Sequence, residues 1–232
     1  MSNIRIFSGG APKPVFNRLT HGFEKQSGHK VDYVFAVMSS LRDKIAHGEP
    51  ADVLVMPTNI LDAYQKEGVA RGEGRAVLGL VSVNGVVRKG TPKPDLSSAE
   101  KVRDAITNSR AVVFATPGAT PSGTHMGQLI EKFGGAAAMK GKILHKPALE
   151  GGVELVASGE AEIGFYPKSE VMDFDGLTIV GPLPREIQLT TIYGAAVAAK
   201  SAAPAAAAAF ITFMNSAANR PVWTNSGFDP PP

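Results

Sequence analysis

The chain has 232 residues, enough for one large domain or two small ones with substantial cores. Hydrophobic residues make up 44% and charged residues 19%, and the net charge of +3 comes from scattered rather than clustered basic residues, which disfavours a nucleic-acid partner. The absence of cysteine excludes disulfides, thiolate metal sites and cysteine nucleophiles, and no apolar run approaches the ~20 residues of a membrane span.

The first residues, MSNIRIF, enter a strand at once and show no basic region, apolar core or cleavage site of a secretory leader. An intact chain is therefore expected in the cytoplasm, and a chain trimmed of a leader in the periplasm; both remain open.

Strand-like and helix-like segments alternate along the sequence. IRIF reads as a short strand, and VFNRLTHGFEKQSG as a helix with Val15, Leu19 and Phe23 on one face. KVDYVFA is a strand, and SSLRDKIAHG a compact helix that opens on serines suited to capping and stops at glycine. ADVLVMP reads as a buried strand and TNILDAYQKEG as a further capped helix. After GLVSVNGVVRKG the spacing loosens around TPKPDLSSAEKVRDAI, where Ser97 or Ser98 caps a helix. The alternation then restarts with AVVFA, GTHMGQLIEKFGG, KILHK, GGVELVASG and EIGFYP, followed by the strands LTIVGPLP and TTIYGAAVAA. SAAPAAAAAFITFMNS reads as a docked helix, with Pro204 in its first turn and Phe210, Ile211, Phe213 and Met214 as its packing face. Such alternation predicts an α/β fold with mainly parallel strands.

Residues 45–57, IAHGEPADVLVMP, resemble residues 156–167, VASGEAEIGFYP. Both run from a helix end through Gly-Glu and Ala-acid into a buried strand that closes on proline. Their separation by about half the chain favours two similar lobes.

In open α/β sheets, ligands sit beyond the carboxyl ends of the strands, where helices begin. The qualifying turns are 8–14 (SGGAPKP), 37–40 (VMSS), 57–59 (PTN), 116–125 (TPGATPSGTH), 148–152 (ALEGG) and 166–170 (YPKSE). They bring Gly9, Gly10, Thr58, Thr120, Ser122, Gly123 and Thr124 to positions where unpaired N–H groups and a partial positive charge favour an anion. Lys13, Arg42, His125 and Lys168 lie near enough to add charge. Each feature also has a plain structural reading. Gly9 and Gly10 serve a sharp turn, and Ser39 and Ser40 serve as N-caps. Ser122, Thr124 and His125 form a cap followed by a surface histidine. Lys13 and Lys168 are solvated charges, Glu150 favours a helix start, and Tyr166 is a core tyrosine with its hydroxyl at the rim. The number of such turns on one predicted edge favours the binding reading.

Several chemistries lack their signatures. The sequence has no P-loop, no dinucleotide fingerprint after a strand, no G-x-S-x-G elbow and no histidine pair at zinc spacing. No cofactor and no metal are expected.

The segments IRIFSGGAPKPVFNRL, FEKQSGHKVDYVFAVMSSLRDKI, GEPADVLVMP, VVFATPGATPSGTH, GGVELVASGEAEIGFYPKSE and NSGF together resemble the periplasmic molybdate-binding proteins of ABC importers. The resemblance implies a two-lobed type II periplasmic-binding-protein fold with the ligand cleft between lobes, lobe I being 1–80 plus 196–232 and lobe II 81–195. It further implies a small anionic ligand, an ABC permease as partner and a monomer. That family typically holds its oxyanion with two serines, backbone amides and a tyrosine. By the same resemblance those serines fall on Ala11 and Met38, the tyrosine on Pro167 beside Tyr166, and the backbone positions near Ser122 and Leu149. Losing hydroxyl donors to a buried dianion costs a few kcal/mol of affinity. The substitutions therefore point away from molybdate and toward an organic carboxylate.

Two functions follow. One is a solute-binding protein that closes on its ligand without chemistry. The other is a cofactor-independent isomerase of a di- or tricarboxylate, since some relatives of the family are similar to aconitate isomerase. His125, Glu150, Tyr166 and Lys168 are its candidate acids and bases, and nothing in the sequence selects among them.

Overall fold

The computed structural model describes residues 1–134, 139, 141–147 and 150–231. The first run of elements is β1 (Asn3–Ser8), α1 (Lys13–Ser27), β2 (Lys30–Phe35), α2 (Met38–Ala46), β3 (Val53–Pro57) and α3 (Thr58–Lys66). A long strand, β4 (Ala76–Arg88), leads to α4 (Ala99–Asn108), β5 (Val112–Ala115), α5 (Pro121–Lys132), β6 (Ile143–Lys146), α6 (Val153–Ser158), β7 (Ile163–Pro167) and α7 (Lys168–Val171). The chain closes with β8 (Leu177–Pro182), β9 (Thr190–Val197), α8 (Pro204–Met214) and α9 (Arg220–Asn225). The α/β alternation expected from the sequence is present, and no helix among the described residues is long and apolar enough to cross a membrane.

Helix starts depart from the sequence reading for local reasons. The α1 helix begins at Lys13 rather than Val15, because Pro14 carries a φ already suited to a first turn. It ends at Gly28, whose left-handed φ of 72° lets its N–H reach the Glu24 carbonyl. Ser39 and Ser40 are not N-caps. The link from β2 is short, Val37 is the extended flanking residue, and helix α2 begins at Met38. Nor is α3 capped by a side chain, since β3 runs straight into it through Pro57. Of the two serines before α4, Ser98 is the cap, its hydroxyl accepting from the Lys101 amide at 3.2 Å.

The chain divides into two compact units, Met1–Val81 with Thr191–Pro232, and Ser82–Thr190. In the first unit the strands pair in the order β2, β1, β3, β9, with β1 parallel to β2 and β3, and β3 antiparallel to β9. One face of that sheet packs Ile4 and Ile6 against Val15, Phe16, Leu19 and Phe23 of α1, Phe210 and Met214 of α8, and Trp223 of α9. The alanine-rich segment is thus a docked helix. The other face packs Phe7, Leu54 and Met56 against α2 and α3 through Leu41, Ile60 and Leu61.

In the second unit the order is β6, β5, β7, β4, β8; β5 is parallel to β6 and β7, and β4 antiparallel to β7 and β8. Val112 and Phe114 face Val102 and Ile106 of α4 and Met126 and Ile130 of α5, while Val113 faces Val153 and Val156 of α6. The pairing scheme of β2, β1, β3 and β9 is repeated by β6, β5, β7 and β4. The two resembling stretches, 45–57 and 156–167, occupy the same step in both units, the helix end that leads into the third parallel strand.

Candidate functional site

Because β1, β2 and β3 run parallel, their carboxyl ends and the starts of α1, α2 and α3 lie on one edge of the first unit. All three helices begin without a side-chain cap, flanked by Pro12, Val37 and Pro57. In the second unit α5 is capped by Thr120, while α6 and α7 also begin without a side-chain cap. Helix N-termini leave donors that side chains, water or ligands must satisfy. Among the described residues the amides of Gly10, Ala11, Met38, Ser39 and Ser40 have no protein acceptor. Nor do the hydroxyls of Ser39 and Ser40 bond to any described residue, and Ser39 is exposed. Thr58 begins α3, and its carbonyl accepts from the Arg75 guanidinium at 3.0 Å, which ties that helix start to the segment before β4.

Close approach defines the β1–α1 turn. A Cβ at Gly9 would lie 2.7 Å from the Met38 methyl and 3.2 Å from the Tyr193 hydroxyl, so a larger residue there would have to push the Met38 methyl aside. Ala11 is fully buried in the core beneath, and Met38 is buried as well. Gly10 is exposed. The Lys13 ammonium stands 5.5 Å from the centre of the Phe35 ring and has no carboxylate partner among the described residues, so the first turn of α1 carries an uncompensated cation. Arg42 acts on Tyr64 of α3: burial raises the Tyr64 pKa and the Arg42 charge partly offsets that rise.

Tyr193 is the residue that sequence reasoning missed. It sits in the middle of β9 opposite Pro57, the last residue of β3, where α3 begins. Its only local signal is the Tyr-Gly pair inside an apolar strand, which carries no information about its partner strand.

The second unit gathers the starts of α5, α6 and α7 at the carboxyl ends of β5, β6 and β7. The cap of α5 is Thr120, not Ser122 or Thr124: its hydroxyl accepts from the Gly123 amide at 3.0 Å and lies 3.2 Å from the Ser122 hydroxyl. Thr124 closes the preceding turn, accepting from the Gly118 amide at 2.9 Å and donating to the Thr120 carbonyl at 3.0 Å. Gly123 approaches the β5 backbone so closely that a Cβ there would lie 2.8 Å from the Ala115 carbonyl carbon. His125 is no surface histidine. Its Nε2–H donates to the Ile187 carbonyl at 2.7 Å and fastens α5 to the short 3₁₀ turn Arg185–Ile187.

Glu150 is exposed and precedes α6, which begins at Val153, by three residues. Leu149 lies outside the described residues. Lys168 is the half-buried first residue of α7.

Tyr166 is a core tyrosine, but its hydroxyl is not at the rim. The side chain packs with Val86, Val113, Val153 and Val156, and the hydroxyl is buried without a hydrogen-bond partner among the described residues. Burial, then the charges of Glu170 and Glu154, push its pKa upward, which makes it a poor proton donor at neutral pH. The Ser169 hydroxyl is likewise buried and unpartnered. An unpaired buried hydroxyl costs about 1–3 kcal/mol. Tyr166→Phe is therefore expected to keep or raise stability by about 1 kcal/mol, read from the urea midpoint. A clear loss of stability would reveal a hydrogen bond of that hydroxyl.

Glu170, beside them, is half-buried as a residue, yet burial of its carboxyl pushes its pKa up to about 7 from 4.5. The folded state thus holds a proton that the unfolded state has released. This contribution is full below about pH 4.5, falls as pH rises toward 7 and is gone above it. We expect Glu170→Gln to gain about 2 kcal/mol relative to the parent between pH 5 and pH 8, checked by melting both proteins across that range. A constant difference would mean that Glu170 titrates normally. The carboxylates whose pKa is lowered by hydrogen bonds, Glu24, Asp95, Glu162 and Glu186, act in a separate window, below about pH 4.5.

Among the described residues no three His, Asp or Glu side chains are grouped to hold a metal ion. The free backbone donors at the helix starts of the first unit, with the cation of Lys13, suit that edge to an anion.

The family described as bacterial extracellular solute-binding protein matches residues 4–229. The chain belongs to that family. Aconitate isomerase from Pseudomonas sp is 27% identical to this solute-binding chain over 238 residues, covering 100% of the chain and 89% of the relative. The molybdate-binding protein ModA of Escherichia coli K12 is 22% identical over 197 residues, covering 84% of the chain and 76% of that protein. Among solved structures, the periplasmic molybdate-binding protein of Azotobacter vinelandii superposes with a TM-score of 0.81 at 18% identity, covering 99% of this chain and 100% of that one. These likenesses fit the two-lobed periplasmic-binding-protein architecture.

Proposed function

We propose that this solute-binding chain receives a small organic carboxylate for an ABC permease, working as a monomer on the periplasmic side of the membrane. The observation that carries this reading is the trio of uncapped helix N-termini on one edge of the first unit, with free amides at Gly10, Ala11, Met38, Ser39 and Ser40. Thr58, Thr120, Ser122, Gly123 and Thr124 are the further ligand-side residues we propose, with Lys13 adding charge. The serine hydroxyls expected for an oxyanion are replaced by buried Ala11 and by Met38, whose methyl lies against Gly9. An apolar lining favours a ligand that carries carbon as well as charge.

The test is a thermal-shift series with molybdate, tungstate, sulfate, phosphate and a panel of di- and tricarboxylates. A ligand present at 100 times its Kd stabilises the native state by about 2.7 kcal/mol. The expected result is a rise with a carboxylate and none with molybdate. Molybdate alone raising the melting temperature would overturn the carboxylate assignment. Lys13→Gln is expected to weaken the carboxylate hit by roughly fivefold, measured by calorimetry, and unchanged affinity would remove Lys13 from the site.

The match of the whole of this chain to aconitate isomerase favours a second reading, isomerisation of a tricarboxylate on the same scaffold. Of the four candidate acids and bases, His125 is engaged with Ile187 and Tyr166 is buried with a raised pKa, which leaves Glu150 and Lys168. Incubating the carboxylate hit and following it by proton NMR separates the two readings: turnover supports the isomerase, and an unchanged spectrum supports the binder.

A further inference from the structure

The second unit carries a cavity of about 480 Å³ at the amino edge of its parallel strands, away from the turns considered above. Val87 and Ile163 form its apolar floor, and Arg88, Lys93, Arg110 and Glu162 stand around it. The internal repeat explains why space exists there. In the first unit Asp52, just ahead of β3, accepts from the Arg5 amide at 2.8 Å while its own amide donates to the Arg5 carbonyl at 2.7 Å. In the second unit Glu162, just ahead of β7, accepts from the Arg110 amide at 2.8 Å and donates its amide to the Ala111 carbonyl at 2.9 Å. The chain leaving β9 then seals Asp52, through the Ser201 hydroxyl at 2.6 Å and the Ala203 amide at 3.3 Å. The strand that takes the place of β9 in the second unit is β4, and the chain leaving it makes no bond to Glu162 among the described residues. The position that chain fills in one unit is open in the other.

The charge around the opening is unbalanced. Arg110 is paired with Glu162. The guanidinium of Arg88 lies against Gly159, with Nη1 3.2 Å from where a Cβ would be, and it has no hydrogen bond or ion pair among the described residues; Lys93 has none either. The nearby hydroxyls of Thr91 and Ser109 already donate to backbone carbonyls and that of Ser158 to the Glu160 carboxylate, so the donors left open here are the charged groups of Arg88 and Lys93, which favour an anion over a neutral acceptor. The volume falls within the range of small-molecule sites.

We infer that this cavity binds a small organic anion with an apolar body, its carboxylate meeting Arg88 and Lys93 and its body resting on Val87 and Ile163. The inference does not depend on the function proposed above. It is tested by titrating the intact protein with 4-methylbenzoate, 4-methylbenzamide and inorganic phosphate while following backbone amides by NMR. Saturable shifts at Arg88, Ser109–Val112 and Gly159–Ile163 are expected with 4-methylbenzoate, with no response to the amide and a weaker one to phosphate. Arg88→Gln and Lys93→Gln, both at exposed positions, should each weaken binding about tenfold at an unchanged melting temperature. The proposal is overturned by silence at these amides, by an equal response to the neutral amide or to phosphate, or by full affinity in both variants. Shifts at residues 9–13 and 38–40 would report the other edge, so the two proposals fail separately.

Discussion

Alanine at Gly123 is expected to lower the melting temperature by roughly 10 °C, from a destabilisation of about 3 kcal/mol. The added Cβ would stand 2.8 Å from the Ala115 carbonyl carbon and 2.9 Å from the Thr116 carbonyl oxygen. Both are backbone atoms at the end of β5, so no rotamer change can relieve the contact. Either the strand end or the start of α5 has to move, and the Thr120 cap on the Gly123 amide is lost with it. Gly22, inside α1, provides the matched comparison. A Cβ there meets only the Phe213 ring, at an ordinary 3.5 Å, so Gly22→Ala is expected to stabilise by about 0.5–1 kcal/mol through helix propensity. The pair of melting curves should move in opposite directions. A Gly123→Ala protein melting with the parent would mean that α5 does not approach β5 so closely.

Removing the Asp52 carboxylate is the second large effect. The residue is only 8% exposed, and its oxygens accept from the Arg5 amide, the Ser201 hydroxyl and the Ala203 amide. These bonds join the start of β3 to β1 and to the approach of α8, which has no side-chain cap of its own on Ala203. Asp52→Ala leaves all three donors without that acceptor, and the cost is expected to be about 3 kcal/mol. Asp52→Asn keeps one acceptor oxygen and should lose less than half as much. Urea midpoints at constant slope measure both, and hydrogen exchange should show the start of α8 opening first in the alanine variant. Equal losses in the two variants would mean that the negative charge, rather than the set of acceptors, holds this junction.

The sequence carried most of the local structure because side-chain periodicity states which face of an element is buried. Val15, Leu19 and Phe23 read as one helix face and pack as one. Phe210 and Met214 marked the alanine-rich segment as docked, and they bury in the same cluster. The likeness of 45–57 to 156–167 fell on equivalent steps of two equally ordered units. Helix starts were read less well, since a hydroxyl near a helix start is a cap only if the chain geometry brings it to the right position. Ser98 has that position, while Ser39 and Ser40 fall one and two residues inside α2.

What the sequence determined by itself is the α/β alternation, the glycine-, serine- and threonine-rich turns that follow the strands, and the absence of cysteine chemistry. Those properties are local or compositional. The tertiary structure alone decided that Tyr193 meets Gly9, that Asp52 binds Ser201 across 149 residues, and that the Tyr166 hydroxyl is buried. Each depends on antiparallel register or on packing between segments distant in the chain. A period of two or of 3.6 fixes the face a residue occupies, not which strand will lie opposite it.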